Sequence, residues 1–116
     1  MRMTGNFKKA LEWYSKAANG IVEAVTDEVF KDRARCFRDE LVDGKRTLVV
    51  LPYAEEKTHE VLHSEPRYAI FTNNIGVCLM ELGDLESARE KFRESIEFIP
   101  DGYNYPDPFK NLEVIS

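Results

Sequence analysis

His59-Glu60-Val61-Leu62-His63 is a literal H-E-x-x-H. On a helix its two histidines stand one turn apart on the same face, a spacing at which both imidazoles reach one zinc ion. Glu60 between them would then act as general base on a zinc-bound water, the chemistry of a metal-dependent hydrolase. The chain holds two histidines in all, so a third ligand would have to be a carboxylate or a cysteine. Glu81, Asp84 and Glu86 lie downstream at a usable sequence distance, but none of them forms a second motif.

These five residues resemble the zincin metallopeptidase motif, and that resemblance implies a helix set against a sheet whose edge binds substrate. One β-like run, Thr47–Leu51, is present, and Pro66 ends the motif's helix within a turn of His63. No G-x-G-x-x-G and no Walker A loop occur, and the serines have no histidine partner outside this pair. A non-catalytic protein without cofactor is therefore the primary expectation. A small zinc hydrolase using His59, Glu60 and His63 is the alternative, with His59 and His63 as the metal candidates.

The elements that would position these residues read as helices. Residues 69–102, AIFTNNIGVCLMELGDLESAREKFRESIEFIPDG, hold small residues at Gly76, Ala88 and Ser95. Leu79, Leu85, Phe92 and Ile96 are expected to fill the seam between the two helices. Gly76 and Ala88 let two antiparallel helices approach closely, Gly83 supplies a turn residue that tolerates positive φ, and Pro100 stops the second helix. This window resembles one tetratricopeptide repeat (TPR), a helix–turn–helix unit of about 34 residues that buries its apolar face only by stacking on neighbours. Ile75-Gly76, Leu79, Gly83, Ala88, Phe92, Ser95 and Pro100 sit at the family's patterned positions, with Thr72 where many members carry Trp.

Gly5, Phe7, Ala10, Tyr14 and Ala17 match the second half of the same unit over residues 5–18. Its first helix has no counterpart, so Trp13 and Tyr14 are expected to leave apolar surface open. Residues 21–66 read as a degenerate, lengthened repeat. Its first part is an amphipathic helix from Ile21 to Leu41, with Val22, Val25, Val29, Phe30, Ala34, Phe37 and Leu41 at intervals of three and four and Asp43-Gly44 as the stop. Lys45–Pro52 is β-like in composition, but with no second β-rich run to pair with it is read as a connection or the start of the next helix. Pro52 suits the first turn of a helix over about Tyr53–Ser64. Residues 107–115 read as a capping or truncated helix, with Asp107 able to cap and Pro108 at the first helical position.

The resulting expectation is a single all-α domain over residues 1–116. It comprises five to six helices in stacked TPR-like hairpins that form a short right-handed superhelix. What the resemblance implies is a non-catalytic interaction module. It would bind a protein or peptide partner along its first helices, at Ile70, Asn73, Asn74, Val77, Met80 and Glu81. Val77 stands where carboxylate-clamp members carry Asn, which argues against that clamp. Self-association through incomplete end units is a further alternative.

Composition limits the partners. A net charge of −5 disfavours nucleic acid and anionic membranes. Lys31, Arg33, Arg35 and Arg38 interleave with acidic residues as local ion pairs do. Cys36 and Cys78 are expected as buried free thiols. No apolar run reaches membrane-spanning length and no signal-peptide h-region is evident, so a cytoplasmic protein is expected.

Overall fold

The computed structural model describes residues 4–115. In chain order these form α1 (Thr4–Phe30), α2 (Arg33–Cys36), β1 (Phe37–Val42), β2 (Lys45–Val50), α3 (Pro52–His63), α4 (Pro66–Glu81), α5 (Leu85–Glu97) and α6 (Asp107–Ile115). The protein is mostly helical, with one two-stranded antiparallel sheet. Its extents of 62 × 32 × 23 Å and radius of gyration of 17.8 Å exceed the roughly 13 Å of a compact domain of this length. The helices form an extended row rather than a ball.

The α4–α5 hairpin is the best-packed part. Pro66 fits the first turn of α4, where its missing N–H costs nothing, and Glu65 caps it by accepting from the Arg67 N–H. Gly83 turns the chain at φ 90°, and Asp84 caps α5 by accepting from the Ser87 N–H at 3.2 Å. Phe92, Ala88, Ser95 and Thr72 are buried along the seam, whereas Leu85, expected to fill it, stands in the first turn of α5 and is 45% exposed. The Ser95 and Thr72 hydroxyls donate to the Ala69 and Tyr68 carbonyls at 2.7 Å each, so neither buried oxygen is left unpaired. The opposite face of α4 packs on α1, and α6 packs on α5.

Residues 21–66 depart from the all-α expectation in two ways. First, α1 runs unbroken from Thr4 to Phe30, so the half unit at 5–18 and the helix expected from Ile21 are one element of 27 residues. Gly20 interrupts a helix interior at a cost of about 1 kcal/mol. Burial of Ala18 before it, and of Ile21, Val22, Val25 and Val29 after it, outweighs that cost. Second, the helix expected to reach Leu41 stops at Phe30, α2 is a single turn, and Phe37–Val42 is a strand. The run over residues 45–52, read as a connection or helix start, is its partner, from Lys45 to Val50. The missed signal is Asp43-Gly44: with φ 52° and 76° the pair forms a two-residue turn that closes Val42 against Lys45. Such a dipeptide marks a hairpin more strongly than a helix stop.

Two small apolar clusters tie this region to the helices. Val29, Cys36 and Ala54 gather Phe30, Phe37, Tyr53 and Val61 around them. Leu62, Ala69 and Phe98 gather Ile21, Val22, Tyr68 and Ile99, and Val25 touches both clusters. Cys36 and Cys78 are buried and unbridged, with the Cys36 thiol donating to the Val29 carbonyl at 3.3 Å. Burial pushes the Cys78 thiol pKa up. No helix of the described residues is long and apolar enough to cross a membrane.

Candidate functional site

α3 brings His59 and His63 side by side, with ring centroids 5.1 Å apart. Helical spacing does this much. His59 is exposed and His63 half-buried. Both pack at a tilt against the Phe98 ring, at 4.9 and 5.1 Å, and Tyr68 meets the same ring edge-on at 5.0 Å. The His59 Nε2 also stands 3.3 Å from the Glu97 carboxylate. The pair thus clips α3 to the C-terminal end of α5. An open cleft of 610 Å³ lies beside it, lined by Glu56, His59, Glu60, His63, Ser64, Pro100 and Asp101.

As a metal centre the arrangement is incomplete. Among the described residues no group of three His, Cys, Asp or Glu side chains is placed to hold a metal ion. Asp84 and Glu86 sit at the opposite end of α5 from Glu97, which at 1.5 Å per residue is about 16–20 Å away. Glu81 ends α4 beside them. The carboxylates that sequence distance put forward as third ligands therefore lie far from the two imidazoles.

The partner-binding positions on α4 divide. Asn73 is buried and already engaged: its Oδ1 accepts from the Asn111 Nδ2 at 3.1 Å. It ties α4 to α6, so it is not available to a partner. Ile70, Asn74, Val77, Met80 and Glu81 are half-buried. Burial, with the Asp107 carboxylate second, pushes the Tyr105 hydroxyl up to about 12. Next to this network, Trp13 is 60% exposed and packs edge-on against Tyr14 and Phe71 at 5.1 and 5.9 Å. Of the two aromatic residues expected to lie open, Trp13 does and Tyr14 is half-buried.

A second apolar concavity was not foreseen. Thr26 and Phe30 of α1, Val50 of β2, and Ala54, Glu55, Thr58, His59 and Leu62 of α3 line an open groove of 450 Å³. Reading residues 21–41 as one helix hid it, because Phe30 and Phe37 were placed on a single apolar stripe. In the structure they belong to two elements and their rings stack at 5.2 Å across the junction.

No family model matches the chain, and neither a curated protein nor a solved structure matches it.

Proposed function

We propose that this chain is a non-catalytic interaction module built from TPR-like hairpins, which holds a protein or peptide partner. The observation that carries the reading is the way the helices stack. α1 lies on α4, α4 on α5 and α5 on α6, and α3 packs on α1 around Val25 and Val29, so among the described residues α6 and the N-terminal half of α1 form the row's outer helices. Both outer helices expose large apolar residues: Trp13 on α1, and Phe109 and Val114 on α6. Helices in a stack bury such residues against a further unit or a partner. The close approach at Gly76 and Phe92 supports the repeat-like hairpin. The half-buried Asn74, Val77, Met80 and Glu81 supply the partner-facing positions on α4. A side-chain amide such as Asn74 satisfies both the donor and the acceptor of an extended peptide backbone. Two buried thiols without a disulfide fit a reducing compartment such as the cytoplasm.

The test is capture from the source cell with the full chain as bait, followed by binding of the retained protein to Asn74→Ala, Val77→Ala and Met80→Ala. The expected result is binding about tenfold weaker in at least one variant, at unchanged melting temperature. Unchanged affinity in all three rejects the α4 assignment. Stoichiometric, tightly bound zinc in untagged protein, lost in His63→Ala, would reject the non-catalytic reading. The exposed Trp13 and Val114 also favour self-association as a second reading, and a monomer by light scattering at high concentration excludes it.

A further inference from the structure

The groove between α1, α3 and β2 continues onto the hairpin as one apolar surface. The register pairs Phe37 with Val50, Asp39 with Leu48 and Leu41 with Arg46. Alternation puts all six side chains on one face of the hairpin. Four of them are apolar, and Leu41, Leu48 and Val50 are 74%, 51% and 54% exposed. Val50 belongs to both surfaces: it lines the groove and ends this stripe. Phe30, the groove's α1 wall, stacks on Phe37, the first residue of the stripe. A two-stranded hairpin is marginally stable on its own, and this one packs mainly within itself and on α2. An apolar stripe left open along it, continuous with an apolar groove, is a surface shaped for an occupant.

The rim says what kind of occupant. Glu23 stands three and four residues before Thr26 and Asp27, and these stand four and three before Phe30, so all share one side of α1. Glu55 lines the groove from α3 with Glu56 next to it. All four carboxylates are exposed. Both helical walls therefore carry negative charge above an apolar floor of Phe30, Ala54 and Leu62. Arg33, held over the Phe37 ring at 5.0 Å, supplies a cation at the hairpin end. Along the helical walls the backbone groups are bonded within their own helices, so the groove offers side chains rather than main-chain partners.

We infer that this groove seats an amphipathic helix of a partner protein, apolar stripe inward and Lys or Arg along its flanks. A third helix laid at the usual 8–10 Å from α1 and α3 would restore the packing that α4 and α5 already enjoy, and its cations would meet Glu23, Asp27 and Glu55. The inference rests on the interaction-module reading, but places the partner on the α1–α3–hairpin side rather than on α4.

The test uses the full chain and two fluorescent probe peptides of about 18 residues, roughly five turns. Both carry Leu at helical intervals of three and four, one with Lys and the other with Glu at the remaining positions. The Leu/Lys peptide is expected to bind about tenfold or more tightly than the Leu/Glu peptide. Val50→Lys is expected to weaken it by about tenfold, and joint replacement of Glu23, Asp27 and Glu55 by Lys to reverse the preference. Asn74→Ala and Met80→Ala are expected to change neither. Circular dichroism melts that match the parent confirm that the variants fold. Binding unmoved by Val50→Lys and by the charge reversal overturns the inference, as does failure of both peptides to bind. Loss of a captured partner only in the Asn74 and Met80 variants also overturns it and leaves the interaction-module reading standing. A concentration-dependent dimer that Val50→Lys splits assigns the face to a second copy and overturns it as well.

Discussion

Gly76 of α4 faces the ring of Phe92 on α5 so closely that a Cβ at Gly76 would lie 2.6 Å from Cε1 and 2.8 Å from Cδ1. Phe92 is fully buried, so its ring has no open side to move into. The approach of the two helices is thus set by the absence of one carbon atom. The same pair explains why the 69–102 window is the most regular part of the sequence: a small residue and an aromatic sixteen positions on are two halves of one contact.

Gly76→Ala is accordingly expected to destabilise the protein. Alanine gains about 0.5–1 kcal/mol in helix preference, but overpacking a filled core costs about 1–3 kcal/mol. The net loss is about 1–2 kcal/mol, at about 4 °C of melting temperature per kcal/mol for a chain of 116 residues. Adding Phe92→Leu to Gly76→Ala should recover part of the Gly76→Ala loss in a double-mutant cycle. An alanine variant as stable as the parent refutes the close-packing account.

The hairpin is expected to fail locally. Gly44 holds φ 76° with open space around it, so Gly44→Ala meets backbone strain and no steric neighbour. That strain is about 1–2 kcal/mol, and it falls on an element that packs mostly on itself. Hydrogen exchange should show lost protection at the β1 and β2 amides while α4 and α5 stay protected and the global melt shifts little. Equal loss of protection in α4 and α5 would show that the hairpin is part of the cooperative core.

Adjacent asparagines should separate stability from binding. Asn73→Ala strands the Asn111 amide, and loss of one partner of a buried hydrogen bond costs about 1–3 kcal/mol. Asn74→Ala removes a half-buried side chain from the same helix and should stay within about 0.5 kcal/mol of the parent. Denaturant melts of the two variants check this directly. The reverse order would mean that Asn74 is the structural residue.

At high pH two tyrosines should resist ionisation. Burial raises the Tyr68 hydroxyl, reinforced by its 2.7 Å donation to the Glu94 carboxylate, and burial raises Tyr105 to about 12. The folded values lie above the ordinary 10.0, so the folded state holds these protons more tightly than the unfolded chain. Their stabilising contribution is intact below pH 10.0 and is lost as pH rises through the folded values. Phenolate absorbance should therefore show a late-titrating fraction that shrinks in Tyr68→Phe and again in Tyr105→Phe, with unfolding setting in over the same range. Full titration of all five tyrosines near pH 10.0 in folded protein would contradict this.

Legibility followed the range of the forces involved. The α4–α5 hairpin, the Pro52 start of α3 and the extent of α6 were readable because caps, prolines and turn glycines act within a few residues. Residues 37–50 were misread because apolar spacing at Phe37 and Leu41 fits a helix and a strand face alike. The deciding signal is Asp43-Gly44, which suits a helix stop and a two-residue hairpin turn equally until a partner strand is in place. The paired histidines were also readable, since a helix puts i and i+4 together. Their surroundings were not.

The sequence by itself determined where most helices start and stop, that small residues line the α4–α5 seam, and that His59 and His63 share a face, because these depend on local backbone preferences and helical spacing. Tertiary structure alone decided that Phe98 and Glu97 meet those histidines while the downstream carboxylates lie at the far end of α5. It also decided that Asn73 is spent on Asn111, and that α1, α3 and a hairpin leave an acidic-rimmed apolar groove. Each of these joins residues tens of positions apart, whose meeting is fixed by how whole helices pack and not by any signal within one of them.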